Sequence, residues 1–180
     1  MARVLPATGT LHPDAHAELD RQVADHGRVT NMKRTLAHSP VALHALMTWY
    51  PLRKEVAAFL GDRATLLFAH AVSNETDCLI CSTFFRRILI EQGENPDELH
   101  LNATEQAVVH YGQVIARDRH VVPDDVFAAV RILFTDQQIV SLTAFAALMI
   151  ATNAFNNALE VDLDEYLQAF RKPTAQSKVS

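Results

Sequence analysis

Cysteine is nearly absent. Cys78 and Cys81 are the only two among 180 residues, which excludes the multi-bridge framework of a small secreted domain and a four-cysteine zinc site. Long hydrophobic runs are missing as well: the most apolar stretch, around residues 145–150, falls well short of a membrane span, and the first ten residues hold no apolar signal-peptide core. Positive charge is not in excess. With 16 Lys and Arg against 21 Asp and Glu, the formal net charge is -5, so there is no basic face for a nucleic acid. Between residues 15 and 170 no sustained alternation of apolar and polar residues marks a strand. These absences predict a soluble, cytoplasmic, all-α protein with neither a nucleic-acid nor a membrane partner.

Apolar residues make up 49% and charged residues 21%, ordinary values for one globular domain with a core of its own. Helix punctuation recurs along it. Ser39 followed by Pro40 reads as an N-cap and first helical position for a helix over 41–49, stopped near Pro51. Gly61-Asp62 ends one helix and caps the next, over 64–72, which breaks at Ser73-Asn74. Asn74 with Asp77 then reads as a capping box for a helix that ends at Gly93 in a left-handed cap. Asn102 with Glu105 opens a helix to Arg117, Pro123 opens a short one, and Thr135 with Gln138 opens an apolar helix over 139–159, followed by a last helix over 163–170. The helix over 139–159 is apolar on most faces, which predicts both the central helix of a bundle and part of a homo-oligomer interface. The expected organisation is an N-terminal segment 1–26, a helical domain 27–170 and a disordered polar tail 171–180.

The cysteines stand where a polar turn, residues 73–77, gives way to an apolar helical run, as Cys78-Leu79-Ile80-Cys81. Thiols three residues apart at an exposed helix start can close a small disulfide loop, and the unpaired N–H groups of the first turn favour a thiolate. In a reducing compartment such a pair cycles rather than staples. Two other readings stay open on spacing alone: a pair of small buried apolar side chains, or two ligands that join histidines around a metal.

Further landmarks follow in order: Gly27 to Met32 with Ala37 to Pro40, the helix-break-Cys-x-x-Cys unit over 66–81, Gly93, and Asp136 to Thr143 followed by Asn153 to Val161. In this series the chain resembles the AhpD-like, or carboxymuconolactone decarboxylase-like, superfamily over residues 27–167. The resemblance implies a multi-helical AhpD-like bundle. For members that reduce peroxides it also implies attack by the second cysteine, Cys81, resolution by the first, Cys78, and reduction of the resulting disulfide by a partner. Those members are similar in carrying a glutamate about one helix upstream of the first cysteine, a histidine between the cysteines and another four residues after the second. Here Leu66, Ile80 and Phe85 occupy those places.

Peroxide cleavage needs a proton for the leaving oxygen, so other donors come into question. His70 lies eight residues before Cys78 and one turn after the place of the family glutamate. Glu75 is three residues before Cys78, and His110, followed by Tyr111, can reach the dithiol only through tertiary packing. Against each stands a plain alternative: a hydrogen-bonded core histidine, a carboxylate serving the helix dipole, a solvated surface histidine. A zinc site of Cys78, Cys81, His70 and His110 would commit both thiolates to metal. Neither metal nor cofactor is expected. The leading expectation is an oxidoreductase that reduces a small-molecule peroxide or disulfide and is recharged by a dithiol reductant. The alternatives are a non-catalytic helical oligomer for binding or assembly, and a lactone-acid decarboxylase or lyase with His70 or His110 as base.

Overall fold

The computed structural model describes residues 1–47, 50–117 and 121–172. The expected tail from residue 173 onward, Trp49 at the end of one expected helix, and His120 lie outside them. The chain runs α1 (Pro13–His26), α2 (Asn31–Leu36), α3 (Pro40–Met47), α4 (Pro51–Leu60), α5 (Asp62–Glu75), α6 (Leu79–Glu91), α7 (Ala103–Arg117), α8 (Asp124–Leu133), α9 (Asp136–Ala158) and a closing 3₁₀ turn (Glu165–Phe170). Among the described residues there is no strand.

The helix boundaries follow from local chemistry. Asn102 and Glu105 exchange side-chain to backbone hydrogen bonds of 2.9 Å each at the head of α7, and Thr135 with Gln138 forms the same reciprocal box at the head of α9. Ser39 Oγ accepts the Ala42 N–H at 3.3 Å where α3 begins. Gly93, at φ +83°, closes α6 with paired bonds from Gly93 N to Ile90 O and from Glu94 N to Leu89 O, each 2.9 Å, a Schellman motif.

At the centre lies α5, which packs on α4, α6, α7 and α9. Residues 64–73 are all buried, and Phe68 stacks on Phe145 of α9 with centroids 6.0 Å apart. Gly112 lets α7 approach α5: a Cβ there would lie 2.8 Å from Phe68 Cε2 and 3.0 Å from Val72 Cγ2, closer than carbon atoms tolerate. The loop between α6 and α7 is held by Arg63, which donates to Glu94 at 2.6 Å, to Glu105 and to His100 O at 3.2 Å.

One feature adds to the sequence reading and one departs from it. The N-terminal segment contains α1 and packs on α3, where Ala15, Met32, Leu36, Leu43 and Met47 form a second apolar cluster. Leu46 and Phe155 touch both clusters and join them. The apolar helix α9 is 23 residues long and by length and composition could cross a membrane, because alanines and further aliphatic residues extend the short apolar core read from sequence. Its inner face is buried in the bundle.

Candidate dithiol site

α5 and α6 are joined almost without a linker. Asp77 adopts φ +50°, a left-handed conformation that costs a residue with a Cβ roughly 1 kcal/mol and that Asp tolerates better than most. Around it Asp77 N donates to Asn74 O and Cys78 N to Ser73 O, both at 3.1 Å, so α5 ends in a Schellman motif with Asp77 in the usual glycine position. The capping box expected from Asn74 and Asp77 does not form; α5 continues to Glu75, and α6 is capped by Cys78 itself. Its Sγ accepts the Cys81 N–H at 3.5 Å, where Ser, Asp or Asn usually places an oxygen. Adjacent residues therefore close α5 and open α6.

The start of α6 is not exposed as the sequence suggested. Cys78 is 1% accessible and Cys81 7%, because α9 covers them with an asparagine on the same face as two others. Asn156 Nδ2 lies 3.4 Å from Cys81 Sγ and 3.8 Å from Cys78 Sγ. Three residues before it, Asn153 Nδ2 donates to Thr76 Oγ1 at 2.7 Å and to Ser73 Oγ at 3.4 Å. One residue after it, Asn157 Nδ2 donates to Thr76 O at 2.8 Å. The i, i+3, i+4 spacing turns three amides toward one turn of chain.

Both cysteines are free thiols, and their acidities are driven apart. The Cys78 thiol is pulled down to about 7, first by the hydrogen bond from the Cys81 thiol; burial opposes this, and the Cys81 N–H, the Asn156 amide and the Ile80 N–H add to it. Cys81 is pushed well up, first by giving that hydrogen bond, then by burial and by the charge on Cys78. Negative charge on the pair is therefore favoured on Cys78, at the helix N-cap, over Cys81. Tyr50, before α4, is 37% exposed as a whole, but its phenol is pushed up, first by desolvation and then by the neighbouring Cys81 sulfur, and Lys33 Nζ lies 5.4 Å from its ring centroid.

The expected proton donors have other partners or face solvent. His70 is buried and contacts Asn74 at 3.2 Å; burial and then Arg86 push it down to about 4, Asp97 opposing. Glu75 is bound at both oxygens by Arg117 of α7, at 2.7 Å each. His110 is exposed on α7. No described hydrogen bond joins any of the three to either sulfur, and no group of three or more His, Cys, Asp or Glu among the described residues is placed to hold a metal. The sequence reading missed Asn156 and Tyr50. The signal for Asn156 was present: three asparagines at helical spacing inside an apolar helix must find buried partners. Nothing comparable marked Tyr50.

No family model and no curated protein sequence matches the chain. Solved structures do. The debrominase Bmp8 in its apo form is 16% identical with a TM-score of 0.76, covering 93% of this chain and 95% of its own. An uncharacterized peroxidase-related protein from Ralstonia eutropha JMP134, with an alkylhydroperoxidase AhpD core, is 19% identical with a TM-score of 0.69, covering 95% and 98%. Another peroxidase-related protein, from Silicibacter sp. TM1040, is 16% identical with a TM-score of 0.73, covering 93% and 94%. At these identities the likeness is one of fold.

Proposed function

We propose that this chain, which has the all-α AhpD-like fold, is a thiol-dependent oxidoreductase whose Cys78 and Cys81 cycle between dithiol and disulfide while reducing a small peroxide or disulfide. The observation that carries this reading is the sulfur of Cys78 at the N-cap of α6, held by N–H groups and by a second thiol. A thiolate so placed is a ready nucleophile.

The pair also suggests where the proton comes from in a chain with Leu66, Ile80 and Phe85 in place of the family relay. In the proposed cycle the Cys78 thiolate attacks the terminal oxygen of a hydroperoxide, the O–O bond breaks, and Cys78 becomes a sulfenic acid. The departing alkoxide takes the proton of the Cys81 thiol and leaves as alcohol. The Cys81 thiolate then attacks Cys78, a disulfide forms, and hydroxide leaves and takes up from solvent the proton that Cys78 gave up on ionising, so that water is released. One peroxide is reduced by two electrons, and a dithiol reductant restores both thiols. The resemblance assigns first attack to Cys81; the charge at the N-cap favours the reverse order.

The same two electrons would convert a carbon–bromine bond to carbon–hydrogen with release of bromide, a second reading favoured by the fold shared with a debrominase. Reductant-coupled consumption of cumene hydroperoxide and bromide release from a bromopyrrole separate the two. Turnover of neither, with the disulfide still forming, would leave protein disulfide exchange. The lactone-acid reading, with His70 or His110 as base, leaves the dithiol without a role.

The cycle suits the reducing cytoplasm. We also propose a homo-oligomer. On the outer side of α9, Val140 is 67% exposed, and Ala147, Ala151 and Ala154 are exposed on the same helix; Ile132 of α8 is 85% exposed. Sedimentation at micromolar concentration should give a mass above 20.0 kDa, and a clean monomer would refute assembly.

A further inference from the structure

Asn156 is buried, at 2% exposure, yet only half of its amide is used. Its Nδ2 reaches both sulfurs, at 3.4 and 3.8 Å, while its Oδ1 is enclosed with no hydrogen-bond partner. Burying a carbonyl oxygen unpaired is costly. Packing alone does not account for it, since an apolar side chain of that size would fill the space on α9 without the cost. The amide is retained on a helix face whose other two asparagines hold the turn before Cys78, so the backbone carrying the sulfurs and the donor aimed at them are fixed by one helix.

We propose that Asn156 sets the redox poise of the dithiol, its Nδ2 donating toward both sulfurs and so favouring negative charge on the pair. This rests on the dithiol reading and deepens it. An amide N–H donates strongly to a sulfur that carries negative charge, whereas a disulfide has no charge to receive it. Asn156 therefore stabilises the reduced form over the oxidised form, and a stabilised reduced form is a stronger oxidant when closed. Among the described residues, Tyr50 is a further titratable side chain that responds to Cys81; the backbone donors are the N–H groups of Cys81 and Ile80.

The test uses the full chain with Asn156→Leu and the isosteric Asn156→Asp. Thiolate absorbance is titrated against pH, and the disulfide is equilibrated with glutathione buffers. Loss of a hydrogen bond to a charged sulfur should raise the thiolate midpoint by about one pH unit in Asn156→Leu, a tenfold change in ionisation. The added negative charge in Asn156→Asp should raise it further. The reduction potential should fall by about 30 mV for each tenfold change. Asn153→Ala, which removes only the clamp on Thr76 and Ser73, should lower thermal stability without moving the thiolate midpoint. Unchanged midpoints in folded Asn156→Leu and Asn156→Asp, or an equal shift in Asn153→Ala, would overturn the proposal. If the wild type forms no disulfide the redox reading fails, but the thiolate titration still decides the role of Asn156.

Discussion

Cys78→Ser is expected to abolish peroxide reduction, while Cys81→Ser should complete one attack and stop with a sulfenic acid on Cys78. The difference follows from the N-cap. Serine is among the best capping residues, so Cys78→Ser keeps α6 and the fold while removing the sulfur that the helix start ionises. Cys81 is then left as a lone buried thiol, pushed up by burial, with little thiolate at neutral pH. In Cys81→Ser the hydroxyl can still donate to Cys78, so the thiolate persists, but no second sulfur resolves it. Loss of a nucleophile costs several orders of magnitude in rate. A sulfenic-acid label read by mass spectrometry identifies the oxidised residue. Trapping it on Cys81 in Cys78→Ser would restore the order implied by the AhpD resemblance.

The largest pH effect on stability should come from His70. Above pH about 6.5 the imidazole is neutral in folded and unfolded chains and contributes no pH dependence. As pH falls, the unfolded chain binds a proton that the folded chain refuses, because burial and Arg86 hold His70 down to about 4. Folding stability should drop progressively between pH 6.5 and 4, by about 3 kcal/mol in total. Glu18 and Glu105 are held below the usual carboxylate range, so their losses begin only at lower pH. Urea unfolding of wild type and His70→Gln from pH 7 to 5 isolates the histidine: the wild type should lose stability over that window and the variant should not. Parallel curves would mean that His70 is solvated in the folded protein.

Helix order was legible because caps are local. Asn102 with Glu105, Thr135 with Gln138, and Gly93 each announce a boundary through neighbours a few residues away, and each forms the expected bonds. The end of α5 was misread for the same reason in reverse. Asn74 and Asp77 have the spacing of a capping box, but a left-handed Asp77 closes the preceding helix and passes the cap to Cys78. The all-α AhpD-like fold could be read from landmarks spread along the chain, whereas the surroundings of the dithiol could not. Asn156 is 75 residues from Cys81 and Tyr50 precedes another helix, so their approach depends on how α4, α6 and α9 pack. His70 and Glu75 stand near the cysteines in sequence, yet helix rotation turns one toward Asn74 and the other toward Arg117.

The central claim is that Cys78 and Cys81 form one reversible redox unit, and a thiol count with mass measurement tests it most directly. Reduced protein should show two thiols; one equivalent of oxidant should remove both, with loss of two hydrogens, no intermolecular bridge, and full recovery on adding a dithiol. Two free thiols persisting under that oxidant, or only disulfide-linked dimers, would contradict it.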